Sequence, residues 1–202
     1  MANAPFKKDG FNVTTDVTGI GIDCKFPVHF QVSAANAVAA DTDGIHAAIT
    51  DTGEEQEITT EITNPAVPRN ITATAGGTAA DIGAIEIVVE GTNANGEAIT
   101  ETLPAFTENT AGTVTGSKAF KTVTKITVPA HDGTGATTAI GFGSKLGLPF
   151  KLAHNTCLFA FLDNTKESTA PTVTVSSTAI ENNTITLNSS LAGKVVDAYF
   201  LI

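Results

Sequence analysis

Ala84-Ile-Glu-Ile-Val-Val-Glu-Gly-Thr-Asn-Ala-Asn-Gly-Glu-Ala-Ile-Thr-Glu-Thr-Leu103 decides the fold class. In its first half Ile85, Ile87 and Val89 fall on one side of an extended chain, and Glu86, Val88 and Glu90 on the other. Alternation with a period of two marks a half-buried antiparallel strand. Gly91 to Glu97 carries the Asn/Gly content of a turn, and Ala98 to Leu103 returns as the partner strand. A chain patterned in this way builds a surface and holds no evident reaction centre.

The same grammar extends outward. From Pro68 to Pro149 it predicts strands at 69–75, 84–90, 97–103, 112–119, 120–128 and 138–142. Within 120–128, Phe120, Thr122, Thr124 and Ile126 are expected on one face, with Lys121, Val123 and Lys125 on the other. Ile45–Thr50 and Glu57–Ile62 read as a hairpin closed by the acidic turn Asp51–Glu55, and Asp41–Gly44 as a turn before it. Pro65 and Pro68 end that unit, because proline cannot donate to a ladder. Ser33–Ala40 is the one helix-compatible run, a single turn or an extended loop. Towards the C-terminus, Cys157–Leu162 is apolar on both faces and reads as a central strand. Thr172–Ser176 and Thr184–Leu187 flank a turn. Lys194–Ile202 is apolar to its end and must be covered by neighbours.

Short strands at this spacing predict an all-β fold, an antiparallel β-sandwich of immunoglobulin-like or jelly-roll-like kind. The expected organisation is an extended N-terminal arm at 1–27 and a β-rich body at 28–202. The central sandwich would span about 68–148, with 28–67 and 149–202 forming a second β layer or subdomain. In the arm, Phe6, Phe11, Val13, Ile20 and Ile22 are too apolar for a plain linker, and they are expected to contact another subunit or a larger assembly.

Composition narrows the function. The 202 residues carry 11 Lys and Arg against 21 Asp and Glu, a formal net charge of −10. Clustered cations for phosphate contacts are lacking, which argues against direct nucleic-acid binding. No apolar run approaches the ~18 residues of a membrane helix, and the first ten residues lack the apolar core of a signal peptide. Folding in a cytoplasm is the expectation. Cys24 and Cys157 have no metal-ligand spacing. Cys157 reads as a small buried hydrophobe, and a Cys24–Cys157 disulfide stays open.

Candidate sites reduce to structural readings. Asp41-Thr-Asp-Gly44 begins like a calcium loop, but Ile45 and Thr52 stand where the fifth and twelfth ligands belong. The glycine-rich stretch Gly133–Gly147 has Ser144-Lys145 in the reverse of the phosphate-loop order. His29, His46, His131 and His154 are scattered and read as structural. No catalytic, metal or cofactor constellation emerges, and the chain reads as a non-enzyme.

Val67-Pro-Arg-Asn-Ile-Thr-Ala-Thr74, Val89–Glu97, Ile99-Thr-Glu-Thr102, Gly116-Ser-Lys-Ala-Phe-Lys-Thr-Val-Thr124 and Lys145-Leu-Gly-Leu-Pro149 together resemble a family of tailed-bacteriophage and prophage virion proteins. The resemblance covers at least residues 45–202. It implies a structural protein, first a capsid decoration (cementing) protein on the outer shell surface that bridges neighbouring capsomers. It implies the major capsid protein as partner, with a homotrimer or a solution monomer as the assembly state. A tail, head–tail adaptor or fibre-associated protein, or a host-surface binding module, is the alternative. The family offers no active-site residues to carry over.

Overall fold

The alternation around residue 88 becomes a hairpin in the computed structural model, which describes the backbone of Asn12–Thr14 and Gly21–Asp23 and all of residues 26–202. Phe6, Phe11 and Ile20 lie outside the described residues, as do the side chains of Val13 and Ile22. The fold is all-β and sandwich-like. Its strands are β1 (Asn12–Thr14), β2 (Gly21–Asp23), β3 (Pro27–Val32), β4 (Asp41–Thr50), β5 (Gln56–Ile58) and β6 (Arg69–Gly77). There follow β7 (Val88–Thr92), β8 (Ala98–Thr102), β9 (Gly112–Phe120), β10 (Thr122–Val128) and β11 (Ala136–Gly147). The chain closes with β12 (Cys157–Leu162), β13 (Thr165–Lys166), β14 (Thr172–Thr174), β15 (Thr184–Thr186) and β16 (Val196–Leu201).

Three sheets make the body. One runs β5-β10-β7-β8, another β13-β12-β16-β3, and between them lies β14-β15-β11-β6-β9, with β4 also paired to β11. Among the described residues β1 and β2 pair with each other and with no other strand. Two hydrophobic clusters result. The first gathers Ile45, Ile71, Val89, Phe120, Ile126 and Ile140 between the first and the shared sheet. The second gathers Val32, Leu146, Leu162, Ile185, Val196 and Phe200 between the shared sheet and the β3–β16–β12 sheet. Among the described strands only β11 gives large residues to both, Ile140 and Phe142 to one and Leu146 to the other.

β11 crosses from one cluster to the other through a break in register. Phe142 pairs with Ile71 and Leu146 with Arg69, so Gly143–Lys145 bulge against Asn70. Two buried side chains hold the bulge. Asn70 Oδ1 accepts from the Lys145 amide at 3.0 Å, and Arg69 donates through Nε to the Gly143 carbonyl at 2.8 Å. Arg69 also reaches Val38 O and lies over the Phe142 ring, 5.0 Å from its centre. Desolvation lowers the guanidinium pKa to about 10, so it stays charged at neutral pH.

Several sequence expectations are corrected by long-range pairing. Asp41–Gly44 is the start of β4 and not a turn. β4 and β5 do not form a hairpin: β4 pairs with β11 and β5 with β10. The Asp51–Glu55 segment is held instead by Asp51, whose carboxylate accepts from the Gly53 amide at 2.7 Å and the His131 amide at 2.9 Å. The helix-compatible run makes one turn, closed by Asn36 and Ala37 amides on Ser33 O.

In β10 a register shift between Val123 and Lys125 inserts an extra residue. The bulge reverses the facing, so Val123 is buried together with Ile126 and Val128, while Thr124 is exposed. Asn64 Oδ1 fills the gap by accepting from the Val123 amide at 2.6 Å. The glycine-rich stretch contains the whole of β11, and Gly141 has a structural reason there. A Cβ at that position would meet the Asp41 carbonyl oxygen where β4 crosses.

A candidate interaction surface

The β3–β16–β12 sheet has two chemically different faces. Val32, Val196, Ala198, Phe200, Ala160 and Leu162 point inward and are buried. His29, Gln31, Asp197, Tyr199, Phe159 and Phe161 point the other way, away from both hydrophobic clusters. Antiparallel register sets them in rows. Tyr199 stands opposite His29 on one side and Phe159 on the other; Asp197 stands between Gln31 and Phe161.

Four rings touch in this array. His29 and Tyr199 stack with centres 4.6 Å apart and planes 6° from parallel. Phe159 lies 5.1 Å from Tyr199 and packs edge-on to Phe161 at 5.7 Å. A bulge between Cys157 and Phe159 breaks the alternation and turns Leu158 outward as well. Leu158 is 51% exposed and Phe159 38%. Phe26 and Ile202 are exposed at the sheet's end as well, but alternation sets them on the side of Val28 and Phe200, opposite the rings.

A polar strip borders the rings. Asp197 Oδ1 accepts hydrogen bonds from His29 Nε2 and Gln31 Nε2, both at 2.7 Å. These residues, with Phe161, Asn164 and Tyr199, line a shallow depression of about 360 Å³. The Asp197 network fixes the His29 ring parallel to Tyr199, so the surface is shaped before any partner arrives. Aromatic anchors with a hydrogen-bonded polar rim are the composition of a protein-binding patch.

Sequence reasoning placed no cluster here. It expected Cys157–Leu162 to be central, and β12 does have neighbours on both sides, β13 and β16. The second apolar face of that strand nevertheless has no cover among the described residues. Cys157 itself is only half-buried, and burial raises its thiol pKa above the usual value.

The other candidate residues from the sequence take these places. Among the described residues no group of three or more His, Cys, Asp or Glu could hold a metal ion, and no helix is long and apolar enough to cross a membrane. Asp43 is raised above its ordinary value by its hydrogen bond to, and the charge of, Asp41. His46 bonds the adjacent Ala47 carbonyl. His131 is buried, accepting from the Gly83 amide at Nδ1 and donating from Nε2 to Thr138 Oγ1 at 2.8 Å. That arrangement suits neutral imidazole, and desolvation lowers its pKa.

The unfolded chain therefore takes up this proton first as pH falls below about 6.5. Stability contributed by neutral His131 is present above that value and is lost as pH falls towards the native pKa. The thermal unfolding midpoint should drop between pH 7 and pH 5, and His131→Gln should reduce that drop. Comparison of the chain with protein families, with curated proteins and with solved structures gives no match.

Proposed function

We propose that this chain is a non-enzymatic structural protein of a tailed-phage type virion that binds the outside of an assembled capsid shell. One observation supports the docking role above others: the preformed aromatic face of Phe159, Phe161, Tyr199 and His29, turned away from both cores. The phage assignment itself rests on the sequence resemblance. Net charge adds to it, because −10 suits an outer position better than one facing packaged DNA.

A shell under internal pressure from DNA is held by bridging contacts between capsomers, and buried area alone can supply them. Repetition multiplies weak contacts, since the second contact of a bridging molecule is intramolecular once the first has formed. The major capsid protein is the partner in this reading, and the virion's outer surface the location.

The test is co-sedimentation of purified protein with expanded shells that lack it. Wild type should bind. Phe159→Ser and Tyr199→Ser should bind at least tenfold more weakly while keeping their unfolding midpoints, because truncating an aromatic hot spot costs roughly 2 kcal/mol or more. Absence of wild-type binding to such shells overturns the proposal. Copy number separates the tail or adaptor alternative: hundreds per particle fit a shell or tube, a dozen or fewer a connector or tip.

A further inference from the structure

β3 is an edge strand, and among the described residues nothing pairs with its outer edge. The pair Phe26–Ile202 exchanges both backbone hydrogen bonds, at 2.7 and 3.0 Å. In an antiparallel ladder such pairs alternate, so Val28, Phe30 and Val32 bond to β16. His29 and Gln31 then direct their N–H and C=O groups away from it. The Leu201 amide obeys the same parity, pointing from β16 to the other side and donating to Thr156 O at 3.2 Å. Among the described residues no group bonds the outward amides of His29 and Gln31. The side chains of these same two residues stand on the aromatic face, so edge and face meet along one line.

We infer that this edge receives the N-terminal segment of a second copy of the chain, added as a further strand beside β3. Three observations select that occupant. Twenty-five residues precede Phe26, and they leave at the end of β3 where the neighbouring strand also stops, at Ile202. β1 and β2, the strands in that segment, pair with each other and, among the described residues, with no third strand.

Charge supplies the third. Lys7, Lys8 and Lys25 cancel Asp9, Asp16 and Asp23, so the whole −10 sits on residues 26–202. Two bodies approaching face to face repel; a neutral segment approaching a body does not. Main-chain bonds give such strand addition its affinity, and alternate side chains its specificity. Two positions apart in sequence, Phe11 and Val13 would fall on one side of such an added strand. The inference does not need a capsid shell, and its test contains none.

Sedimentation of the full-length chain should give a mass above the 20.6 kDa of one copy. Gln31→Pro removes one outward amide, a substitution that an edge strand tolerates when the N–H is not used in its own ladder. The variant should keep its unfolding midpoint within a few degrees and sediment as one chain. Deletion of residues 2–20 should do the same, since both hydrophobic clusters are built from residue 30 onward among the described residues. Hydrogen exchange gives an independent readout: the His29 and Gln31 amides should be protected in the full chain and exchange freely in the deletion variant. A one-chain mass for the wild type, or assembly of Gln31→Pro like wild type, overturns the inference. Protected amides in a one-chain species would place the molecule's own arm on the edge, and that outcome overturns it too.

Discussion

Deleting Val195–Ile202 is expected to give an aggregated protein with no cooperative unfolding transition. β16 lies in the middle of its sheet, between β12 and β3. Val196, Ala198 and Phe200 on it are fully buried in the second cluster. Burial of a Val or Phe side chain contributes about 1.5–3 kcal/mol, and the ladder on both sides is lost as well. Against a typical margin of ~5–15 kcal/mol the loss is decisive. The deletion also frees the facing edges of β12 and β3, which then offer unpaired backbone to other chains. Solubility on expression and a far-ultraviolet circular dichroism melt check this. A soluble variant with a sharp transition would mean that the second cluster holds without its central strand.

Arg69→Ala is expected to cost about 3–4 kcal/mol in urea unfolding, a figure that combines a core cavity with carbonyls left without a donor. Arg69 is 1% exposed and has no carboxylate partner among the described residues. Its bonds go to the carbonyls of Gly143 and Val38, and its plane covers Phe142. It thus pins the β11 bulge at the point where the strand passes between clusters. Arg69→Met keeps the volume and removes a buried charge, so it should recover at least half of the loss. Arg69→Lys should recover less than Met, because a single ammonium cannot fork between two carbonyls and keep its charge buried. Equal losses for Ala and Met would assign the whole effect to the hydrogen bonds.

Local pattern was enough to find the elements, and insufficient to pair them. The expected hairpin forms, with Val88 opposite Thr102 and Thr92 opposite Ala98, but β7 starts at Val88 and runs through Gly91 and Thr92, so the turn is shorter than Gly91–Glu97. Nothing local says that β4 will skip β5 and join β11 some ninety residues away, since any two alternating strands are compatible until the sheet is assembled. Bulges are equally silent: Val123 reads as outward by strict alternation and is buried because one extra residue is inserted beside it.

The aromatic face was half legible. Phe159 and Phe161 give β12 an apolar second side, and a run apolar on both sides reads as a central strand. The missing clue lay in the polar-ended rings and amides, Tyr199, His29 and Gln31, at matching positions of the flanking strands. Residues of that kind line a surface that meets water as well as a partner.

The Phe26–Ile202 pair has a mechanical consequence. A pull on the arm along the β3 axis slides that strand lengthwise against β16, so the ladder from Phe26–Ile202 to Val32–Val196 is loaded in shear. Its hydrogen bonds share the force and must yield nearly together, whereas a pull across the strand would open them one at a time. Tethered by its arm, the molecule would behave as a rivet that resists drawing along one direction and peels readily along the other.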